Sequence, residues 1–426
     1  MNLELQSPTA STISCPDCQS EIPHMKGYIT WCECGYNINV MPSEIPKSKF
    51  ERMYDDLGDK MGQRIFNGLM KKDELFPEKS SSKLLAFFIA TCIHFTSIIT
   101  FILSVYFLVF QNSNYLSVAT GLCLLAITWI ARPRIPKVAK NEHLIKREEY
   151  PSLFTTVDEL ADAMNVKKID GIVINDQLNA SVTHIGWRRK KIITIGYPLF
   201  SMLEHEEQLA ILAHEFGHIA NGDLTRTFYI GTALFTLAKW YQLLEPVPLE
   251  ERENMGFFEL PAYYFMALCA QIPYLIYYSL IHLLFVDSQK GEYLADYRAA
   301  KACGYEHLIS SLKKFDYEEI YYSTIRDLVV KRSKTNLFEL LHQNMTSMPN
   351  REKERLSHIS MKEASKLDST HPPTYYRIKM LEKLKASPSH FPIKRETLVK
   401  AGQELDVQQA NIQEKLIEDF RYWLSL

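Results

Sequence analysis

The chain has 426 residues and a net charge of −2 at pH 7, a length sufficient for two or three domains. No basic excess points to a nucleic-acid partner, so none is expected. Hydrophobic residues make up 46%, but they are unevenly distributed, and the functional reading begins from that.

The N-terminal segment, residues 1–45, has no apolar core long enough for a cleavable signal peptide. It carries Cys15-Pro-Asp-Cys18 and Cys32-Glu-Cys34-Gly35. Paired thiols on two tight turns are what a tetrahedral four-cysteine zinc site needs. Gly35 after the last cysteine supplies the positive φ that such turns often require. The second pair has one intervening residue instead of the usual two, and disulfides or free thiols are the competing readings. The module expected is zinc-ribbon-like, with Cys15, Cys18, Cys32 and Cys34 holding a structural Zn²⁺; its task could be to recruit a substrate or protein partner. Cys92, Cys123, Cys269 and Cys303 sit in apolar or helical contexts and read as packing residues.

Residues 46–83 read as a polar linker with a helix around 50–70. Residues 84–110 then run without Asp, Glu, Lys or Arg, about 40 Å as a helix and enough to cross a bilayer. A polar QNSN turn and a second apolar run, 115–131, complete a transmembrane hairpin spanning 84–135; a buried core hairpin is the alternative. Lys71, Lys72, Lys79 and Lys83 precede it and Arg132, Arg134, Lys137 and Lys140 follow it. The positive-inside rule puts both flanks, and with them the N-terminus and residues 136–388, in the cytoplasm.

Apolar periodicity predicts a helix over 150–164, and β-branched runs predict strands at 171–175 and 191–195 with an edge strand at 180–185 between them in sequence. A helix starting near 198 leads to another beginning near His205. Within it lies His214-Glu215-Phe-Gly-His218. Histidines four apart share a helix face and can bind one Zn²⁺, and the adjacent Glu215 can take a proton from bound water. Catalytic zinc commonly has three protein ligands and one open position. Asn221 and Leu224 occupy the places where one extended pattern needs Gly and His, which excludes that class. A carboxylate on a later helix remains, and Glu292 in SQKGEYLADYRAA (288–300) is assigned as the third ligand. Asp296, four residues on, shares its face and is expected to hydrogen-bond a ligand histidine.

Between His218 and Glu292 lie two further apolar stretches, 227–244, interrupted by Lys239, and 260–286, which contains Pro261, Pro273 and His282. Ligands of one metal require an even number of crossings between them, so both stretches span or neither does. Past Glu292 the chain reads as helical to about Lys385, and 395–423 as one charged amphipathic helix in a C-terminal tail, 389–426.

Four ordered blocks carry a resemblance covering about 150–385: LNASV (178–182), AILAHEFGHIANGD (210–223), GEYLADYRAAKACGY (291–305) and THPPTYYRI (370–378). In these the chain resembles the membrane zinc endopeptidases of the HtpX and CAAX prenyl endopeptidase family. The resemblance implies a gluzincin-like zinc peptidase domain, mainly α with a small β-sheet (α+β), attached to the transmembrane hairpin, with both inner apolar stretches spanning. It implies that Asn179 and Ala180 lie on an edge strand that pairs with extended substrate. It implies that His371 and Arg377 reach the cleft and stabilise the oxyanion. The expected function is hydrolysis of peptide bonds in misfolded or membrane proteins at the cytoplasmic face, with polypeptide and lipid bilayer as partners. A narrow processing peptidase acting on prenylated peptides and a non-catalytic zinc-ribbon adaptor are the alternatives; an intact Glu215 argues against the adaptor.

Overall fold

A computed structural model describes residues 11–25, 27–38, 49–78, 80–139, 142–244, 259–362, 371–388 and 391–425. Parts of the expected ribbon module (1–10, 26 and 39–45), Lys79, Lys140 and Thr370 lie outside the described residues.

Strands β1 (Ser11–Ser14) and β2 (Glu21–His24) pair antiparallel. Helix α1 (Lys49–Leu69) follows, then α2 (Ser81–Val109) and α3 (Tyr115–Ala131). The latter two begin at side-chain caps: Ser80 accepts from the Lys83 amide and Asn114 from the Leu116 amide. Phe88, Phe95, Ile102, Leu116 and Trp129 on this hairpin are exposed, an apolar surface that water disfavours.

Helix α4 (Pro151–Ala163) leads into β3 (Gly171–Asn175), β4 (Ala180–Ile185) and β5 (Lys190–Gly196). Their order is β3-β5-β4, with β3 parallel and β4 antiparallel to β5. Among the described residues β4 is therefore an edge of this sheet. Ile172, Ile193 and Ile195 point into the main core, against α4 and the helix that follows the sheet. After the short α5 (Tyr197–Ser201) comes α6 (His205–Asn221), which opens with a capping box between Glu204 and Glu207. Helix α7 (Asp223–Leu244) starts one residue after Gly222.

Helix α8 (Glu259–Cys303) runs unbroken for 45 residues through Pro273, about 68 Å. One helix thus joins the apolar stretch 260–286 to Glu292. Its first half exposes Phe265, Leu268, Ile272 and Leu275, whereas Tyr293, Ala295 and Ala299 in its second half are buried. By length and composition α2 and α8 can each cross a membrane; α3 is shorter. Helix α7 packs with α2 and α8 around Ala86, Ala90, Ile230, Ala233 and Leu280.

Helices α9 (Tyr305–Phe315), α10 (Glu318–Val330), α11 (Leu337–Thr346), α12 (Asn350–Lys362) and α13 (Thr374–Leu384) follow. The single C-terminal helix expected over 395–423 is instead two, α14 (Arg395–Asp406) and α15 (Gln409–Ser425). The break lets α14 lie on α4. There Glu404 accepts from the Ser152 and Leu153 amides at 2.9 and 2.8 Å, donors that α4 leaves open because its N-cap has no side-chain hydrogen bond.

The β1–β2 module is docked on α12. Trp31 Nε1 donates to the Arg351 carbonyl, the Arg351 guanidinium lies 3.7 Å over the indole ring, and Arg355 Nη1 donates to the Ile38 carbonyl at 2.9 Å.

Candidate active site

The site forms where α6 meets α8, and one glycine permits it. A Cβ on Gly217 would lie 2.7 Å from the Ala295 Cα. Gly217 sits between His214 and His218 on α6, and Ala295 between Glu292 and Asp296 on α8, so backbone contact at this pair brings the two faces within side-chain reach.

His214 Nε2 and His218 Nε2 are 3.2 Å apart; His214 Nε2 lies 3.4 Å from Glu292 Oε2 and His218 Nε2 3.4 Å from Glu292 Oε1. A tetrahedron with metal–ligand bonds of about 2.05 Å has edges of about 3.3 Å. The Nε2–Nε2 separation and the distance from each Nε2 to its nearer Glu292 oxygen match that edge, and the three side chains can hold Zn²⁺. The outer nitrogens support this. His214 Nδ1 is 2.8 Å from Asp296 Oδ1 and His218 Nδ1 is 3.0 Å from Asp223 Oδ2. With both Nδ1–H groups donated to carboxylates, both Nε2 lone pairs face one point, an arrangement that repels unless a cation sits between them.

Charge agrees with geometry. Burial works against a positive charge on His214, yet the Asp296 carboxylate, its hydrogen bond and that of Glu292 outweigh burial and push the imidazole up to about 10. The surroundings favour a cation at this point.

Glu215 is 6% exposed, and its carboxylate has no hydrogen-bond or ion-pair partner among the described residues. It lies close enough to His218 for its charge to favour the protonated imidazole. An uncommitted carboxylate beside a cation site is suited to accept a proton.

His371 and Arg377 also converge here. His371 Nδ1 is 2.6 Å from Glu292 Oε2. Arg377, from α13, donates through Nε and Nη2 to Asp296 Oδ2 and Oδ1 at 2.8 and 2.7 Å. Its guanidinium is buried and holds Asp296 through Nε and Nη2, with Nη2 also 3.4 Å from His214 Nδ1. Ala180 opens β4, and the Asn179 carbonyl accepts from the Gly196 amide at 2.8 Å. Strand β4 packs beside α6 and α7.

Asp223, which holds His218 Nδ1 at 3.0 Å, is not among the residues expected from the sequence. It follows His218 by five residues, beyond the end of α6, and the available signal was the acidic residue closing the IANGD run. Asp223→Asn should weaken catalytic metal affinity by about 10- to 100-fold, the usual cost of losing a carboxylate behind a ligand histidine. Metal titration against a competing chelator would measure it, and unchanged affinity would remove Asp223 from the site.

A second cluster lies far along the chain. The sulfurs of Cys15, Cys18, Cys32 and Cys34 all lie within 4.8 Å of one another. Cys15 and Cys34 Sγ are 3.7 Å apart and Cys18 and Cys32 Sγ 3.5 Å. All four are free thiols. Zinc–sulfur bonds of about 2.3 Å imply tetrahedral edges of about 3.8 Å, so this donor set also fits the ion. Gly35 has φ 113°.

Two histidines and a glutamate on one helix, with a second glutamate from another helix placed against them, are the donor pattern of a metallopeptidase. The Peptidase family M48 model matches residues 148–385, more than half the chain, and the chain belongs to that family. It is 26% identical over 257 residues to the Protease HtpX of Pseudoalteromonas atlantica (strain T6c / ATCC BAA-1087), covering 58% of this chain and 77% of that protein. It is 26% identical over 198 residues to the Protease HtpX of Pseudomonas putida (strain GB-1), 45% of this chain and 64% of that one. For the Protease HtpX of Pseudomonas fluorescens (strain Pf0-1) the identity is 28% over the same shares. The chain thus spans less than two thirds of these Pseudomonas relatives.

Proposed function

We propose that the chain is a membrane-anchored, zinc-dependent endopeptidase that cuts misfolded or membrane proteins at the cytoplasmic face. The observation that carries this reading is the convergence of His214, His218 and Glu292: the two histidine Nε2 atoms lie 3.2 Å apart and each lies 3.4 Å from one oxygen of the Glu292 carboxylate, with Glu215 uncommitted beside them.

In this reading His214, His218 and Glu292 hold the catalytic zinc. When bound, it acidifies a water and polarises the scissile carbonyl. Glu215 accepts the proton of that water and passes it to the leaving amine. Asp296 and Asp223 fix the tautomers of His214 and His218, and Arg377 holds Asp296 in place. His371 is the more exposed of the two α13-side residues, its side chain 46% accessible; donating to Glu292 in the free site, it can turn to the oxyanion when substrate enters. The edge of β4 at Asn179 and Ala180 receives the substrate as an added strand, which suits cleavage of unfolded segments.

Supporting the membrane anchor are the exposed apolar faces of α2, α3 and the first half of α8. We assign 1–45 to a zinc-ribbon-like module, 46–83 to a linker and helix, 84–135 to a transmembrane hairpin, 136–388 to the peptidase domain and 389–426 to a helical tail. Helix α7 and the first half of α8 form the second pair of spans. The four cysteines hold a structural zinc, and because the module is seated on α12, it can present a substrate or partner beside the peptidase domain.

Casein digestion by the full chain tests the reading. Activity should fall to background with a zinc chelator and return on adding Zn²⁺. Chelator-resistant digestion would overturn the zinc mechanism, and cleavage of a prenylated peptide without casein cleavage would overturn the broad specificity.

A further inference from the structure

Three helices change from polar to apolar at one place. Helix α2 begins at Ser81, α7 at Asp223, and the apolar run of α8 ends just before Asp287. Between these points lies a cleft with about 640 Å³ of free space, open solvent included, whose walls include Ser80, Lys83, Asp223, Asp287 and Lys290. If the apolar helices enter a bilayer, as the reading above has it and on which this inference rests, the cleft sits at headgroup depth.

Two of its charged groups lack a counterpart. Asp287 is 7% exposed, and its Oδ2 has no hydrogen-bond partner among the described residues. A buried, charged acceptor left without a donor is costly. The Lys83 ammonium likewise has no ion-pair partner among the described residues. The neighbouring bases are engaged: Lys72 and Lys290 with Glu78, Arg226 with Asp223.

A ligand that answers both groups carries an N–H-bearing cation and an anion joined by a short link. Inorganic phosphate and a phosphoglycerol headgroup offer Asp287 no cation. A choline headgroup has a cation but no N–H to donate to a buried oxygen. We propose that the cleft binds the phosphoethanolamine headgroup of a zwitterionic phospholipid, its ammonium donating to the Asp287 carboxylate and its phosphate accepting from Lys83. The cleft shares Asp223 with the His218 hydrogen bond and includes Gly291 beside Glu292, so a headgroup seated there braces the wall behind the metal ligands.

The test uses the whole 426-residue chain in detergent. Native mass spectrometry would compare retention of short-chain phosphatidylethanolamine, phosphatidylcholine and phosphatidylglycerol at equal concentration. The ethanolamine lipid should be retained about tenfold over the choline lipid, one N–H···carboxylate contact's worth of selectivity. Asp287→Asn should bring that ratio close to one, and Lys83→Ala should lower retention of both. Equal retention by the unaltered protein, or full selectivity in Asp287→Asn protein that still carries its catalytic metal, would overturn the proposal. Competition by soluble glycerophosphoethanolamine as strong as by the lipid would overturn the lipid as source, and weak competition would support it. Incorporation into phosphatidylcholine nanodiscs tests the membrane reading separately. A protein that does not incorporate sinks that reading, whatever its headgroup selectivity in detergent.

Discussion

Glu215→Gln should retain the catalytic metal and lose about 10³-fold in casein hydrolysis, within the range that a positioned general base contributes. The amide keeps the shape of the side chain but cannot take a proton. Glu215 is buried and bonded to no described residue, so an amide of the same shape breaks no hydrogen bond or ion pair to any of them. A stability defect is therefore not expected, and the loss should lie in kcat. Zinc content by elemental analysis, beside kcat and KM on a reporter protein, separates the chemistry from the metal site. Full hydrolysis by the variant would mean that another group is the base.

Gly217→Ala should cost more than a methyl group normally does. Alanine has the higher helix propensity, by up to about 1 kcal/mol. Against that, the new Cβ would lie 2.7 Å from Ala295 Cα and 2.9 Å from its carbonyl oxygen. These are backbone atoms of α8, so no rotamer change relieves the contact, and overpacking of this kind costs about 1–3 kcal/mol. The clash should win. Its sharper effect is geometric: α6 and α8 must separate between the two pairs of site residues, and Glu292 then withdraws from His214 and His218. The expected result is a folded chain with a modestly lowered melting temperature and a catalytic metal lost at chelator concentrations that the unaltered protein withstands. Unchanged metal affinity would show that the close approach at Gly217 does not set the donor triangle.

Local pattern made much of this legible. The His214–His218 face follows from helical spacing, and the strands at 171–175, 180–185 and 190–196 follow from β-branched runs between turns. What escaped depended on contacts between distant segments. Asp223 lies past the end of α6 and becomes a partner of His218 only because the chain turns back at Gly222 into α7. Helix α8 passes through Pro273 without a break, tying the apolar stretch 260–286 to Glu292 and Asp296 in one rod. The break between α14 and α15 has no proline or glycine to announce it; what marks it is α14 lying on α4 through Glu404, some 250 residues away in sequence. The seat of the cysteine module on α12 depends on Trp31 and Arg351, 320 residues apart, a pairing that no local periodicity encodes. The resemblance places Arg377 in the cleft, but the buried carboxylate it pairs with, Asp296, is visible only in three dimensions.

The proposed chemistry depends on three donors from two helices meeting at one ion. An anomalous difference map collected at the zinc edge from crystals of the zinc-loaded protein tests this directly. It should show a peak about 2.0–2.2 Å from His214 Nε2, His218 Nε2 and a Glu292 carboxylate oxygen. A well-loaded crystal with no peak between those three side chains, or with the ion bound elsewhere and Glu292 turned away, would contradict it.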